Sequence, residues 1–158
     1  MIEVRSVMKE PITVNQNDRI EDVITLFRKN RISGAPVVDA DGKIVGVISE
    51  SDIVKTITTH DERFDLILPS PLDLIELPLK AAIKMEEFKE DMKNALKTEV
   101  WEAMTRDVIT ITPETSINEA AEIMIKNKIK RLPVVENGKL VGIVTRGDLI
   151  EVLVSEKE

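Results

Sequence analysis

The chain has 158 residues, enough for one compact domain or two small halves sharing a core, and with 3% aromatic residues that core must be aliphatic. It holds no cysteine and a single histidine, His60, which excludes a disulfide framework, thiolate metal sites and histidine-cluster metal sites, and leaves little room for histidine-based catalysis. The net charge of −7 opposes phosphate backbones, so nucleic acid is not the default partner.

In chain order, Ile12-Thr13-Val14 reads as a short strand start. Asp18 is the candidate N-cap of a following helix, in which Ile20, Val23, Ile24 and Phe27 recur at spacings of three and four. A β run follows at Ala35-Pro36-Val37-Val38, whose proline suits an edge or a strand start. Asp41-Gly42 is a hairpin-turn signal, 44–48 a second β run, and 51 to about 57 a second helix.

The stretch 58–97 is longer than a simple connector. Ser70 as N-cap, Pro71 at the first helical position and Asp73 at the third predict a helix start, and Pro78 predicts an early break or kink. From 79 to about 96, Ile83, Met85, Phe88, Met92, Ala95 and Leu96 trace an apolar face opposite Lys84, Glu86, Glu87, Lys89, Glu90 and Lys93. That face must bury on protein, either its own module or a dimer mate, because a helix of this length is marginal alone. Met85, Phe88 and Met92 read as packing, Trp101 as packing on this insert, and His60 as a surface residue of a polar connector.

The remainder repeats the beginning. Met8 aligns with Met104, Ile12-Thr13 with Ile109-Thr110, Pro36-Val37-Val38 with Pro133-Val134-Val135, Gly42-Lys43 with Gly138-Lys139 and Asp52 with Asp148. One extra residue after Asp107 and one fewer after Glu136 keep the register, both at loops. The second copy offers Thr115 or Ser116 as N-cap, a helix through Ile117, Ala120, Ala121, Met124 and Ile125, a β run at Leu132-Pro133-Val134-Val135, the turn Asn137-Gly138, a second run at 140–144 and a helix from 147 to about 154. The order is β-α-β-β-α, twice.

Each copy closes on one pattern, "GVISESDI" at 46–53 and "GIVTRGDL" at 142–149. A helix beginning after Ser49 or Thr145 turns unpaired N–H groups toward a phosphate, and Asp52 or Asp148 in its first turn can accept hydrogen bonds from a cis-diol. The same Ser/Thr-x-x-Asp spacing is also that of a plain capping box, and the two readings are compatible.

With "GAPVV" and "RLPVV" before each hairpin, these motifs resemble the CBS domain, twice over. The resemblance implies an α/β (α+β) fold: tandem β-α-β-β-α motifs packed about a pseudo-twofold, motif one at 1–57, an inserted helical connector at 58–97 and motif two at 98–158. It implies a regulatory module, no enzyme and no cofactor, binding AMP, ADP, ATP or S-adenosylmethionine in clefts between the motifs. It further implies a homodimer and a regulated partner protein. The alternative is a pair without ligand that serves dimerisation or partner docking; nucleic-acid binding and catalysis rank below both. The acidic, aliphatic composition and the lack of a long apolar run or signal peptide imply a soluble cytoplasmic protein, and abundant Ile, Lys and Glu with a single Gln lean toward a thermophile.

By the same resemblance each cleft draws on both motifs. One site is expected to use Ile143, Thr145 and Asp148 with Ile12, Ser33, Gly34 and Ala35, and Arg131 near the phosphates. The other is expected to use Val47, Ser49 and Asp52 with Ile109, Lys130 and Leu132. The Asp148 site is expected to be the tighter, because Arg146-Gly147 stands between its hydroxyl and its aspartate where the other copy has Glu50-Ser51.

Overall fold

A computed structural model describes residues 1–58 and 73–156, with side chains for 1–57 and 85–155. In chain order the elements are β1 (Val14–Asn15), α1 (Ile20–Asn30), β2 (Gly34–Val38), β3 (Ile44–Ser49), α2 (Glu50–Thr58), α3 (Asp73–Leu96), α4 (Val100–Ala103), α5 (Ile117–Asn127), β4 (Arg131–Glu136), β5 (Lys139–Thr145) and α6 (Arg146–Glu156), with a 3-10 turn at Val4–Ser6 before them. This mixed α+β order carries the expected repeat. β1 runs parallel to β2 with Val14 opposite Val37, and β2 neighbours β3. In the second copy β4 and β5 form an antiparallel hairpin, and Ile111 alone represents the first strand, bridging Val134 in parallel. No helix among the described residues is long and apolar enough to cross a membrane.

The hairpin turns account for the residue by which the copies differ. Asn137 and Gly138 both take positive φ, 54° and 80°, which closes the β4–β5 turn in two residues. In the first copy Asp39 accepts from the backbone N–H groups of Asp41 and Lys43, and Gly42 alone is left-handed, at 81°. That longer turn holds the residue missing after Glu136.

The chain divides into two compact units that interleave in sequence, one of Met1–Gln16, Ala35–Val47 and Thr105–Glu158, the other of Asn17–Gly34 and Ile48–Met104. The first unit is centred on Val4, Ile111, Ile117, Ala120, Met124, Leu132, Val134, Val144 and Leu149. Its N-terminal segment belongs to the first copy in sequence yet lies along the second. Val4 N–H donates to the Thr115 carbonyl, Ile117 N–H donates to the Ile2 carbonyl, and Lys9 and Ile143 exchange both backbone bonds. Gly142 makes room for it: a Cβ there would stand 2.6 Å from the Met8 sulfur.

In the second unit Ile20, Val23, Phe27, Ile48, Ile53, Ala95 and Val100 are buried. The segment before the second copy docks reciprocally on the first. Ile20 N–H donates to the Thr98 carbonyl and Val100 N–H to the Asp18 carbonyl. Val4 and Val100 hold the same place in the two leading segments, and each is 0% exposed.

Two local expectations need correction. Asp18 is not the cap of α1; Arg19 occupies that position, and Asp22 reaches back to accept from its backbone N–H. Ser116, by contrast, caps α5 by accepting from Glu119 N–H. Pro78 does not break α3, which is continuous over Asp73–Leu96. The proline is the sixth residue of the helix, so the one bond it removes is that to the Leu74 carbonyl, near the helix start. On the predicted apolar face Ala95 is buried, Phe88 half-buried, Met85 54% and Met92 37% exposed in the single chain, and α3 packs against α1 and α2. Trp101 is 40% exposed and donates its indole N–H to Glu99. Ser70, Pro71 and His60 lie outside the described residues, as does the side chain of Ile83.

Candidate functional site

Both strand-to-helix junctions form from their own sequence. A β run ends in a hydroxyl residue, the chain turns into a helix, and the aspartate three residues on folds back. At the second junction Thr145 N–H donates to Asp148 Oδ2 at 2.8 Å, and Asp148 N–H donates to Thr145 Oγ1 at 3.3 Å. At the first, Ser49 donates to Asp52 Oδ2 from its backbone N–H at 3.0 Å and from its hydroxyl at 3.2 Å. The first helical N–H is also matched: Glu50 donates to the Ser33 carbonyl and Arg146 to the Lys130 carbonyl. Each junction is therefore a capping box that also holds a carboxylate in a fixed direction.

The surroundings of the two aspartates differ. Asp148 is only 4% exposed, whereas Asp52 is half-buried. Asp148 Oδ1 is 3.0 Å from the Lys9 ammonium, which the leading segment delivers through its backbone pairing with Ile143. The Lys9 ammonium is held above the ordinary lysine value by its hydrogen bond to Asp148 and by that carboxylate's charge, with Glu151 adding to it. Asp148 and Glu151 also line a hollow of about 510 Å³ shared with Ile2, Ser6 and Val7 of the leading segment.

Arg131 opens β4 directly opposite Thr145 in the hairpin register, and Pro133 lies opposite Ile143. Paired residues of an antiparallel ladder share a face, so Arg131, Ile143 and Thr145 lie on the side away from Leu132 and Val144. The first unit thus brings together Arg131, Ile143, Thr145 and Asp148, and adds Lys9, which the sequence reading did not single out. One signal was available: Lys9 aligns with Thr105, so the two leading segments differ in charge at the residue after the shared methionine.

The other expected site residues fall as follows. Ile12, Ala35, Val47, Ile109, Lys130 and Leu132 belong to the first unit, and Ser33, Gly34, Ser49 and Asp52 to the second. Leu132 is 0% exposed and part of the core, and Ala35 is 1% exposed, so neither presents surface to a ligand in this conformation. Ile12 and Val47 are half-buried, while Ile109 and Lys130 are exposed.

Comparison with known proteins agrees with this anatomy. The family model for the CBS domain matches residues 4–59 and again 98–155. The chain is 65% identical over 152 residues to an uncharacterized protein of Methanocaldococcus jannaschii, covering 96% of this chain and 90% of that one. Among solved structures it resembles the CBS domain of a CBS domain containing membrane protein from Sphaerobacter thermophilus, at 32% identity and a TM-score of 0.68, over 95% of this chain and 86% of that one. It also resembles the CBS domain pair of protein MJ0100, solved with 5′-methylthioadenosine and S-adenosyl-L-methionine, at 28% identity and a TM-score of 0.69, over 99% of this chain and 98% of that one. The chain belongs to the CBS domain family and carries the domain as a pair.

Proposed function

We propose that this protein is a regulatory module, without chemistry of its own, that binds AMP, ADP, ATP or S-adenosylmethionine and passes the occupancy on to a partner protein in the cytoplasm. The observation that carries the reading is the Thr145–Asp148 junction, where a carboxylate fixed by a backbone N–H stands at a helix N-terminus and Arg131 pairs with Thr145 across the hairpin. A carboxylate has about four acceptor positions, so Asp148 can take a ribose diol while keeping its bond to Thr145. The likeness to a CBS pair that holds two adenosine compounds supports the ligand class. Ser49 and Asp52 are the corresponding pair of a second, weaker site. Ile12, Ser33, Gly34 and Ala35 would complete the first site, and Val47, Ile109, Lys130 and Leu132 the second.

Two copies are proposed to associate through α5 and α6. Ile125 is 79% exposed there, Ile150 58%, Leu153 56% and Val154 57%. An apolar surface of this kind is uncommon on a monomer. A thermal-shift panel of AMP, ADP, ATP, NAD and S-adenosylmethionine tests the ligand reading. A ligand at one hundred times its dissociation constant stabilises by about 2.7 kcal/mol. No shift with any of them favours the second reading, a docking module without ligand, for which the ammonium already seated on Asp148 is the supporting observation.

A further inference from the structure

Lys9 and Asp148 form an ion pair in the first unit. Lys9 and Thr105 hold equivalent positions, and the main chain treats them alike: Lys9 exchanges backbone bonds with Ile143, and Thr105 with Val47, at 2.9 Å throughout. Only the first ends in a cation. Its ammonium sits 3.0 Å from Asp148 Oδ1, on the carboxylate oxygen that Thr145 N–H does not occupy. Asp148 is 4% exposed on its side chain and Lys9 65%. The carboxylate is therefore built in and the lysine stem is the movable part.

A diol that bonds to Asp148 meets the ammonium first. The Lys9 backbone is pinned, so its stem can only swing within the reach of four methylenes. Leaving a buried carboxylate for water forfeits Coulomb attraction, and an anionic group on the incoming ligand restores it. Resting on the adenosine reading above, we propose that Lys9 is a resident counter-ion of Asp148 that exchanges onto the ligand's phosphate, so that this site selects adenosine phosphates over the uncharged nucleoside. At the Asp52 site Thr105 stands in the equivalent place and Glu50 at the helix start.

Calorimetric titration of AMP and of adenosine into the full chain and its Lys9→Met and Lys9→Arg variants tests this. The wild type should prefer AMP. Lys9→Met should shrink that preference about fivefold, with adenosine gaining affinity as its competitor disappears, and Lys9→Arg should keep it. An unchanged AMP-to-adenosine ratio in Lys9→Met overturns the inference alone, as does an equal loss of both ligands, which is what a merely structural lysine would give. Absence of heat with either ligand in all three proteins overturns the adenosine reading and takes the inference with it.

Discussion

At the Thr145–Asp148 junction the carboxylate is buried and faces a lysine from the far end of the chain; at the Ser49–Asp52 junction it is half-exposed and held by the serine before it. The backbone around them is nearly the same. Both helices start on a carbonyl three residues before the proline of their own repeat, and both hairpins pair with a leading segment at the same strand position. The repeat thus conserves a main-chain frame, and the chemistry is set by a few side chains placed on it, chiefly Lys9 against Thr105 and Arg146 against Glu50.

The largest expected effect on stability separates the two aspartates. Asp148→Ala removes a buried acceptor from Thr145 N–H and strands Lys9, and should cost about 2–3 kcal/mol. Asp52→Ala removes a part-exposed cap and should cost about 1 kcal/mol. Urea melts of the two variants read the difference, and equal losses would mean that the junctions are energetically alike despite their surroundings.

A second substitution tests whether the leading segment must lie so close. Gly142→Ala puts a Cβ against Met8 and should cost about 1–2 kcal/mol through a displaced segment. Gly138→Ala meets nothing within 4 Å and should lose about 1 kcal/mol to its positive φ alone. If Gly142→Ala also breaks the Lys9–Asp148 pair, adding Lys9→Met to it should cost no further stability at neutral pH.

The smallest effect concerns pH. Lys9 is raised from an ordinary value of 10.5 by Asp148 and Glu151. Its contribution is therefore fully present below the unfolded lysine value and is lost as pH rises through the folded one. Melting temperatures of the wild type and Lys9→Met should differ slightly at neutral pH and converge above about pH 10.5. A gap that stays constant through that range would assign the effect to packing of the stem.

Much of this was legible in the sequence because it is local. Asn137-Gly138 dictates its own turn, Ser116 its own cap, and the Ser/Thr-x-x-Asp spacing its own box, so the repeat could be read from short stretches. What escaped depends on contacts distant in sequence or on position within an element. Asp18 is a good cap by type, but Asp22 supplies the reciprocal bond for Arg19. Pro78 is a helix breaker by type, yet α3 runs through it with the loss of one bond near its start. Nothing local marks Lys9, because its partner is set by the docking of the N-terminal segment along β5.

The central claim is that an adenosine ligand binds and that Asp148 carries the tighter site. Calorimetric titration of AMP or ATP into wild type, Asp148→Ala and Asp52→Ala tests it most directly. The account predicts a tight phase in the wild type that Asp52→Ala leaves largely intact and that Asp148→Ala weakens by about 1.5–3 kcal/mol. A tight phase abolished by Asp52→Ala and spared by Asp148→Ala would contradict the assignment, and the absence of binding in folded wild-type protein would contradict the ligand class itself.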